Sequence, residues 1–458
     1  MPRTTVADVL ADGVHRAGAA RAFVAPGAPP FLLDALARRG LATLDAPDVT
    51  AACVMAAVTG ELGDAPGVVL GTLDDVAALS PGLTLAARDR APMLLLTPPH
   101  ADATLLAPVV KASLVVEPTS AGHWIAHAAN LAMTEPRGPV HVACAATVAG
   151  VSAVPVATAC RPAPLPPPAA ASLDALGARL SAARPLIVTG LECGSDDARW
   201  VRAFAESLPA PVLATPKGRG TLAEPHPLAL GLLHAGHRLL ARADLVLLIG
   251  VDASELPPGV LPTTARVARI GRAPWPEGGP TLTADVVAEI TLVIEELAPH
   301  VKARPSADWD VAALDRLKRD VVAEALTAPG ARVVRIVREA TAAGTIATAE
   351  VPLGLAWQAV APRETLTALG GHAPPGYAIL AAVAAQLAHP ERRVVAFTSP
   401  LGLAAGAGAV ALANDRALPI VVVVLGPEGD EQAFRRELER GLALERPVVI
   451  GAGDLPLT

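Results

Sequence analysis

The chain has 458 residues, enough for two or three domains of ordinary size. Hydrophobic residues make up 52%, charged residues 18% and aromatic residues 2%, which fills a large core with alanine and valine and leaves apolar surface for self-association. The formal net charge of −7 excludes the basic stripe that a nucleic-acid partner requires.

From the N-terminus, Met1 to Arg21 carries Asp8, Asp12, His15 and Arg16 in an amphipathic pattern and lacks the apolar core of a signal peptide. Val6, Leu10 and Val14 recur at helical spacing, and Ala22-Phe23-Val24 reads as a strand ended by Pro26-Gly27. Strand signals follow at Gly67 to Leu70, Pro92 to Thr97 and Val140 to Val142, with helical patterns between them. Glu61 and Asp64, just before Gly67, read as solvated turn charges. This first block spans 1–150 and predicts a parallel sheet covered on both faces.

Residues 151–171 are rich in proline and alanine, including Pro166-Pro167-Pro168, and read as a semi-rigid extended linker. A second α/β block over 172–300 has strand candidates at Pro185 to Thr189, Pro211 to Ala214, Leu245 to Ile249 and Val267 to Ile270. A charged helical connector over 301–330, with its helix from Asp308 to Thr327, leads to a third block over 331–458. There the strands are Thr345 to Thr348, Val394 to Phe397, Ile420 to Leu425 and Pro447 to Ile450. The expected fold is therefore α/β, three consecutive parallel-sheet α/β domains. Runs such as Ile420 to Leu425 are too short to span a bilayer. Cys53, Cys144, Cys160 and Cys193 have no C-x-x-C spacing and read as reduced, buried thiols of a cytoplasmic protein.

Several residues invite sharper readings. Ser80, Asp89, His100 and His123 have no G-x-S-x-G elbow around them and read as an unrelated set. His226 and His234 read as structural residues of the second block. Gly402 to Gly408 contains Gly-Ala-Gly but lacks the lysine and serine of a phosphate loop, so close helix packing accounts for it better.

Two turns of the third block carry the most information. Val394 to Thr398 runs into Ser399-Pro400-Leu401, and the strand from Pro419 to Leu425 runs into Gly426-Pro427. This frame resembles the diphosphate-binding domain of the thiamine-diphosphate enzyme family, acetolactate synthase and benzoylformate decarboxylase type. In the first block, Ala25-Pro26-Gly27 and Gly138-Pro139-Val140-His141-Val142 match the same family. In the second, Pro211 to Gly220, Glu224-Pro225-His226-Pro227-Leu228 and Ala243 to Gly250 do so as well. The resemblance implies a pyrimidine-binding-like domain, a central domain and a shortened diphosphate-binding-like domain, in that order.

The resemblance also implies thiamine diphosphate and Mg²⁺, but the positions that would hold them depart from the family pattern. Where the family has Gly-Asp-Gly, Pro400 stands at the metal-binding Asp, between Ser399 and Leu401; where it has Asn-Asn, Pro427 follows Gly426. Proline has no side-chain oxygen and no N–H, whereas Mg²⁺ demands hard oxygen ligands. The family's Gly-Gln-His-Gln cradle becomes Pro352-Leu353-Gly354-Leu355, and the methionine that bends the cofactor becomes Pro375, with Gly376 kept. The Glu that hydrogen-bonds the aminopyrimidine becomes Val49, as in glyoxylate carboligase, and Asp48 beside it points elsewhere. After Pro427 the pattern is cut short, Glu431 to Arg440 joining directly to Pro447-Val448-Val449-Ile450.

Hydrogen bonds to charged groups contribute roughly 1.5–3 kcal/mol each. Losing the metal and several donors therefore removes on the order of 5–10 kcal/mol, about four to seven decades of affinity. The expectation is a member of the family with no metal site, weak or lost Mg²⁺–thiamine diphosphate binding and a scaffold or regulatory role beside a catalytic paralogue. The competing expectation is an active carboligase or decarboxylase of a 2-oxo acid with an atypical site. Nothing in the second block selects FAD.

Overall fold

The computed structural model describes residues 4–181, 184–262, 266–301, 309–426 and 430–452. By compactness the chain divides into two units, 1–163 with 371–422 and 444–449, and 164–370 with 423–443 and 450–458. The strands form three sheets.

The first sheet contains β1 (Arg21–Val24), β2 (Ala42–Asp45), β3 (Gly67–Leu70), β4 (Met93–Thr97), β5 (Ser113–Val115) and β6 (Pro139–Ala143), in the order β2-β1-β3-β4-β6-β5. Every pair is parallel. The inner strands β3, β4 and β6 are buried along their whole length, the continuous apolar pattern of a sheet covered on both faces. Its helices are α1 (Val6–Arg16), α2 (Pro30–Arg38), α3 (Val49–Leu62), α4 (Val76–Arg88), α5 (Ala121–Met133) and α6 (Ala146–Ala149). Helix α1 starts with a reciprocal cap between Thr5 and Asp8. Helix α3 is almost wholly buried and made largely of Ala, Val and Cys, small enough for neighbouring backbones to approach closely.

The second sheet contains β7 (Pro185–Thr189), β8 (Val212–Ala214), β9 (Ala229–Leu232), β10 (Leu245–Ile249), β11 (Val267–Gly271) and β12 (Leu282–Val287), in the order β12-β11-β10-β7-β8-β9. This is the doubly wound order, with the topological switch between β7 and β10. Helices α7 (Ala170–Ser181), α8 (Ser195–Ser207), α9 (Ile290–Leu297) and α10 (Val311–Ala325) accompany it. Within the range assigned to the linker, Val156 and Cys160 are buried in the first domain's core and Ser152 bridges to Thr5, while α7 begins at Ala170.

The third sheet contains β13 (Ile346–Ala349), β14 (Thr365–Thr367), β15 (Val394–Thr398), β16 (Ile420–Leu425) and β17 (Val448–Ala452), in the order β14-β13-β15-β16-β17. Its helices are α11 (Ala331–Ala340), α12 (Tyr377–Ala388), α13 (Pro400–Ala405), α14 (Ala407–Asp415) and α15 (Glu431–Ala443). The observed architecture is the expected one of three parallel α/β layers. Among the described residues no helix is long and apolar enough to cross a membrane.

Candidate functional site

Strand β15 stays buried to Thr398 and then delivers the chain to α13. Ser399 is the N-cap, and its Oγ accepts the Gly402 N–H at 3.1 Å. Pro400 occupies the first helical position, where its fixed φ suits a helix start. A helix N-terminus ordinarily offers free N–H groups to an anion. Here one of those groups does not exist, another is engaged by Ser399, and the next side chain, Leu401, is apolar and 71% exposed. Among the side chains of residues 399–401 only Ser399 carries an oxygen.

At the end of β16, the Gly426 N–H donates to Ala452 O at 2.8 Å, a strand-like bond to the neighbouring chain segment. Pro427 lies outside the described residues, as does Glu428. Asp430 accepts the Gln432 N–H at 2.8 Å and so caps α15. Among the described residues no three His, Cys, Asp or Glu side chains are grouped to hold a metal.

Pro26 and Gly27 form the exposed turn after β1, where Gly27 has φ +78°. Val49 opens α3, half-buried, with Gly71 beside its methyl. Asp48 accepts the Ala51 N–H at 2.7 Å as the N-cap of α3, which ties its carboxylate to the helix start. Pro47 packs on α14 so tightly that a Cβ at Gly408 would lie 2.7 Å from the proline ring. Gly376, with φ +83°, caps α12 after the exposed Pro375, and a Cβ there would meet the Gly406 nitrogen at 2.8 Å. The Gly402 to Gly408 run is thus a pair of short helices broken at Gly406 and packed against Pro47 and α12, as the sequence reading expected.

Pro352, Leu353 and Gly354 make a tight turn in which Gly354 has φ +49° and Leu353 is buried. Leu355 is buried and lines a small cavity of about 20 Å³ with Thr189, Val212, Val321, Gln358 and Lys318. The lining carries donor side chains on Thr189, Gln358 and, as its one cation, Lys318. Its Nζ already donates to Glu224 O at 3.0 Å and to His226 O. Burial pulls the Lys318 ammonium below its ordinary range, with the Glu224 charge opposing that shift.

The Pro211 to Gly220 motif, quoted above for the resemblance, acts structurally. Arg219 makes a buried bidentate pair with Glu224, at 2.6 and 2.9 Å. The same Glu224 carboxylate accepts the Ala359 N–H at 2.7 Å, and the Glu224 N–H donates to Ala359 O at 2.9 Å. Arg363, held at φ +63°, donates to Leu191 O at 2.6 Å and Lys217 O at 3.3 Å. These bonds lock the 356–364 segment onto the 215–224 loop. Sequence reasoning assigned no role to Arg219, Glu224 or Arg363.

At the switch point of the second sheet the chain supplies its own anions. Glu255 accepts from Leu191 N at 2.9 Å, from Asp252 N at 3.0 Å and from the Thr215 hydroxyl. Complete burial pushes its carboxyl up to about 7, against the three hydrogen bonds. The N-terminus of α8 is capped by Asp197, which accepts the Gly194 N–H at 2.7 Å and pairs with Arg272 at 3.1 Å. Arg269 lies between Glu192 at 2.9 Å and Asp285 at 3.2 Å. The crevice where a doubly wound sheet would seat a dinucleotide is lined by carboxylates already in use.

Ser80 lies in α4 and Asp89 caps its C-terminus, while His100 and His123 sit on two other stretches of chain. His100 caps a short helical turn through Asp102 N at 3.2 Å, and His123 stacks with His127. His226 pairs with Glu206 at 3.0 Å, and His234 lies edge-on to His237. The structure instead joins His141, fully buried, to Thr97 Oγ1 at 2.8 Å and Ser113 Oγ at 2.6 Å. Thr97 donates to Pro98 O at 2.7 Å. Its oxygen must then accept from Nε2–H, which leaves Nδ1 to accept from Ser113. Burial, with no carboxylate behind the ring, lowers His141 to about 4, so the relay fixes a neutral imidazole and gives poor support to an imidazolium. One sequence reading needs correcting: Glu61 is not a solvated turn charge but a half-buried residue of α3 whose field reaches the buried Tyr377 hydroxyl. Asp64 is exposed and pairs with Arg161 at 3.1 Å.

Comparison with known proteins assigns all three domains. The family model "Thiamine pyrophosphate enzyme, N-terminal TPP binding domain" matches residues 4–104, the central-domain model of that family matches 174–297, and its "C-terminal TPP binding domain" model matches 346–428. Over 281 residues the chain is 26% identical to the large subunit of acetolactate synthase isozyme 1 from Escherichia coli, covering 56% of this chain and 48% of the relative. It is 28% identical over 281 residues to benzoylformate decarboxylase from Pseudomonas aeruginosa, covering 56% and 51%. The chain thus spans about half the length of the curated relatives it matches. The fold superimposes on a thiamine diphosphate-dependent 4-hydroxybenzoylformate decarboxylase from Rhodococcus jostii with a TM-score of 0.79 at 20% identity, covering 98% of this chain and 99% of that one.

Proposed function

This chain belongs to the thiamine-diphosphate-dependent enzyme family, on its acetolactate synthase and benzoylformate decarboxylase side, and we propose that within it the chain serves as a degenerate homologue with a scaffold or regulatory role. In this reading it does not hold Mg²⁺–thiamine diphosphate in the family's manner. The observation that supports it is the α13 turn, where Pro400, at the position the resemblance assigns to a metal ligand, is the first helical residue and the Ser399 hydroxyl is engaged by Gly402 N. The Arg219–Glu224–Ala359 lock meanwhile remains fully made. The parts that hold the fold together are present, and the parts that would hold the reagent are replaced.

The role follows from the split. A chain with the family's architecture can pair with copies of itself, as a homodimer or homotetramer, or with a catalytic paralogue. Val49 in the first domain and Pro400 in the third leave neither half equipped to complete a partner's site, so pairing would be structural. Co-purification with a paralogue of the same family supports this reading, and a self-contained oligomer indifferent to any paralogue counts against it.

A second reading is favoured by the relatives themselves, which are named as an acetolactate synthase and as benzoylformate decarboxylases. On resemblance alone it leads; on the residues of the turn it trails. It makes the chain an active carboligase or decarboxylase of a 2-oxo acid with an atypical site. Assay of pyruvate, glyoxylate, benzoylformate and acyl-CoA substrates, with and without thiamine diphosphate and Mg²⁺, separates the two. Cofactor-dependent turnover overturns the scaffold reading; no turnover under any condition supports it.

A further inference from the structure

Helix α5 carries two histidines one turn apart, His123 and His127, both exposed. Positions i and i+4 lie on one helix face. Their rings are parallel to within 5° with centroids 6.1 Å apart. Trp124 stands edge-on to both, at 5.1 and 5.9 Å. Among the described residues neither imidazole has a hydrogen-bond or ion-pair partner, in contrast to His100, His141, His226, His300 and His389, each of which has one. Two such imidazoles on one helical face can converge on one ion as a bidentate donor set.

From this geometry we infer that His123 and His127 form a surface site for a divalent transition metal, with Cu²⁺ bound most tightly and Ni²⁺ and Zn²⁺ more weakly. Imidazole nitrogen suits these ions, and the order follows ligand-field stability. A metal needs each nitrogen at about 2.0–2.1 Å. Bringing two parallel rings onto one ion requires only side-chain torsion changes, which exposed residues make on the ps–ns timescale. No third protein ligand is grouped with the pair among the described residues, so water completes the coordination and the ion exchanges readily. The inference is independent of the third domain and of any thiamine chemistry.

The test uses the full chain, free of any polyhistidine tag and stripped of metal. Cu²⁺, Ni²⁺ and Zn²⁺ are each titrated by calorimetry while tryptophan emission is followed. One equivalent of Cu²⁺ is expected to bind and to quench part of the emission of the chain's 5 tryptophans, since Trp124 touches both ligands. His123→Ala and His127→Ala should each weaken Cu²⁺ binding by about tenfold or more. Trp124→Phe should leave the binding isotherm unchanged and remove the metal-dependent quenching. Circular dichroism of each variant shows whether α5 still folds, and a variant that has lost its helix is replaced by His→Gln at the same position. Binding to the double variant H123A/H127A that equals the wild type overturns the inference, as does the absence of any Cu²⁺ binding tighter than millimolar.

Discussion

The Ser399 hydroxyl accepts the Gly402 N–H at 3.1 Å across the Pro400 ring, which closes the N-terminus of α13 from within. Here the cap and the imino acid satisfy the helix start with the chain's own atoms.

Ser399→Ala should therefore cost stability without gaining ligand affinity. Loss of an N-cap side chain is worth about 1 kcal/mol, to be read in urea unfolding. Tighter binding of inorganic pyrophosphate by the variant than by the wild type would show instead that the hydroxyl masks a working anion site.

Glu224 is the hinge of the lock between the 215–224 loop and the 356–364 segment. Glu224→Ala leaves the Arg219 guanidinium buried without its partner and the Ala359 N–H unpaired. The expected cost is about 3–5 kcal/mol. Glu224→Gln, which can still accept from Ala359 N, should cost less. Equal stability of E224A and the wild type in chemical denaturation would mean that the lock contributes nothing.

Glu255 and His141 should make acid act in opposite directions on the two compact units that contain them. The buried Glu255 carboxyl keeps its proton up to about 7, whereas an unfolded glutamate loses it near 4.5. Its contribution is full below 4.5 and is lost as pH rises through 7. His141 stays neutral down to about 4, whereas an unfolded histidine takes a proton near 6.5. Its contribution is present above 6.5 and is lost as pH falls towards 4. Each effect is on the order of 2–3 kcal/mol. Unfolding free energies at pH 5 and pH 8 should show a reduced pH slope of one sign in Glu255→Gln and of the other sign in His141→Asn. Slopes unchanged from the wild type in both would contradict these assignments.

Gly408 is where α14 meets Pro47. An alanine Cβ would press on a rigid ring at 2.7 Å, and overpacking of this kind costs about 1–3 kcal/mol. Gly408→Ala should lower the midpoint of thermal unfolding. Gly451→Ala, where nothing lies within 4 Å, should not.

Much of the fold was legible in the sequence because parallel strands buried on both faces leave unbroken apolar runs. Leu245 to Ile249, Pro185 to Thr189 and Ile420 to Leu425 end where the sequence places them. Edges shifted where a polar residue could belong to either side, as at Thr345, which precedes β13. The turn at Pro400 was legible because proline restricts both φ and donors whatever surrounds it. The Glu224 lock was not, since its partner is a backbone N–H 135 residues away and backbone groups carry no sequence signature. The His141 relay was hidden for a related reason: Thr97 and Ser113 lie on different strands, and only the register of β4 and β5 beside β6 brings them to one imidazole. Glu61 was misread because its position suggested a loop, whereas α3 extends to Leu62 and carries it towards Tyr377.

The most direct test of the central proposal is calorimetric titration of the untagged full chain with thiamine diphosphate in excess Mg²⁺, with a catalytically competent family member as positive control. The account predicts no saturable heat at concentrations that saturate the control. Saturable binding at micromolar concentration, abolished by chelating the Mg²⁺, would contradict it.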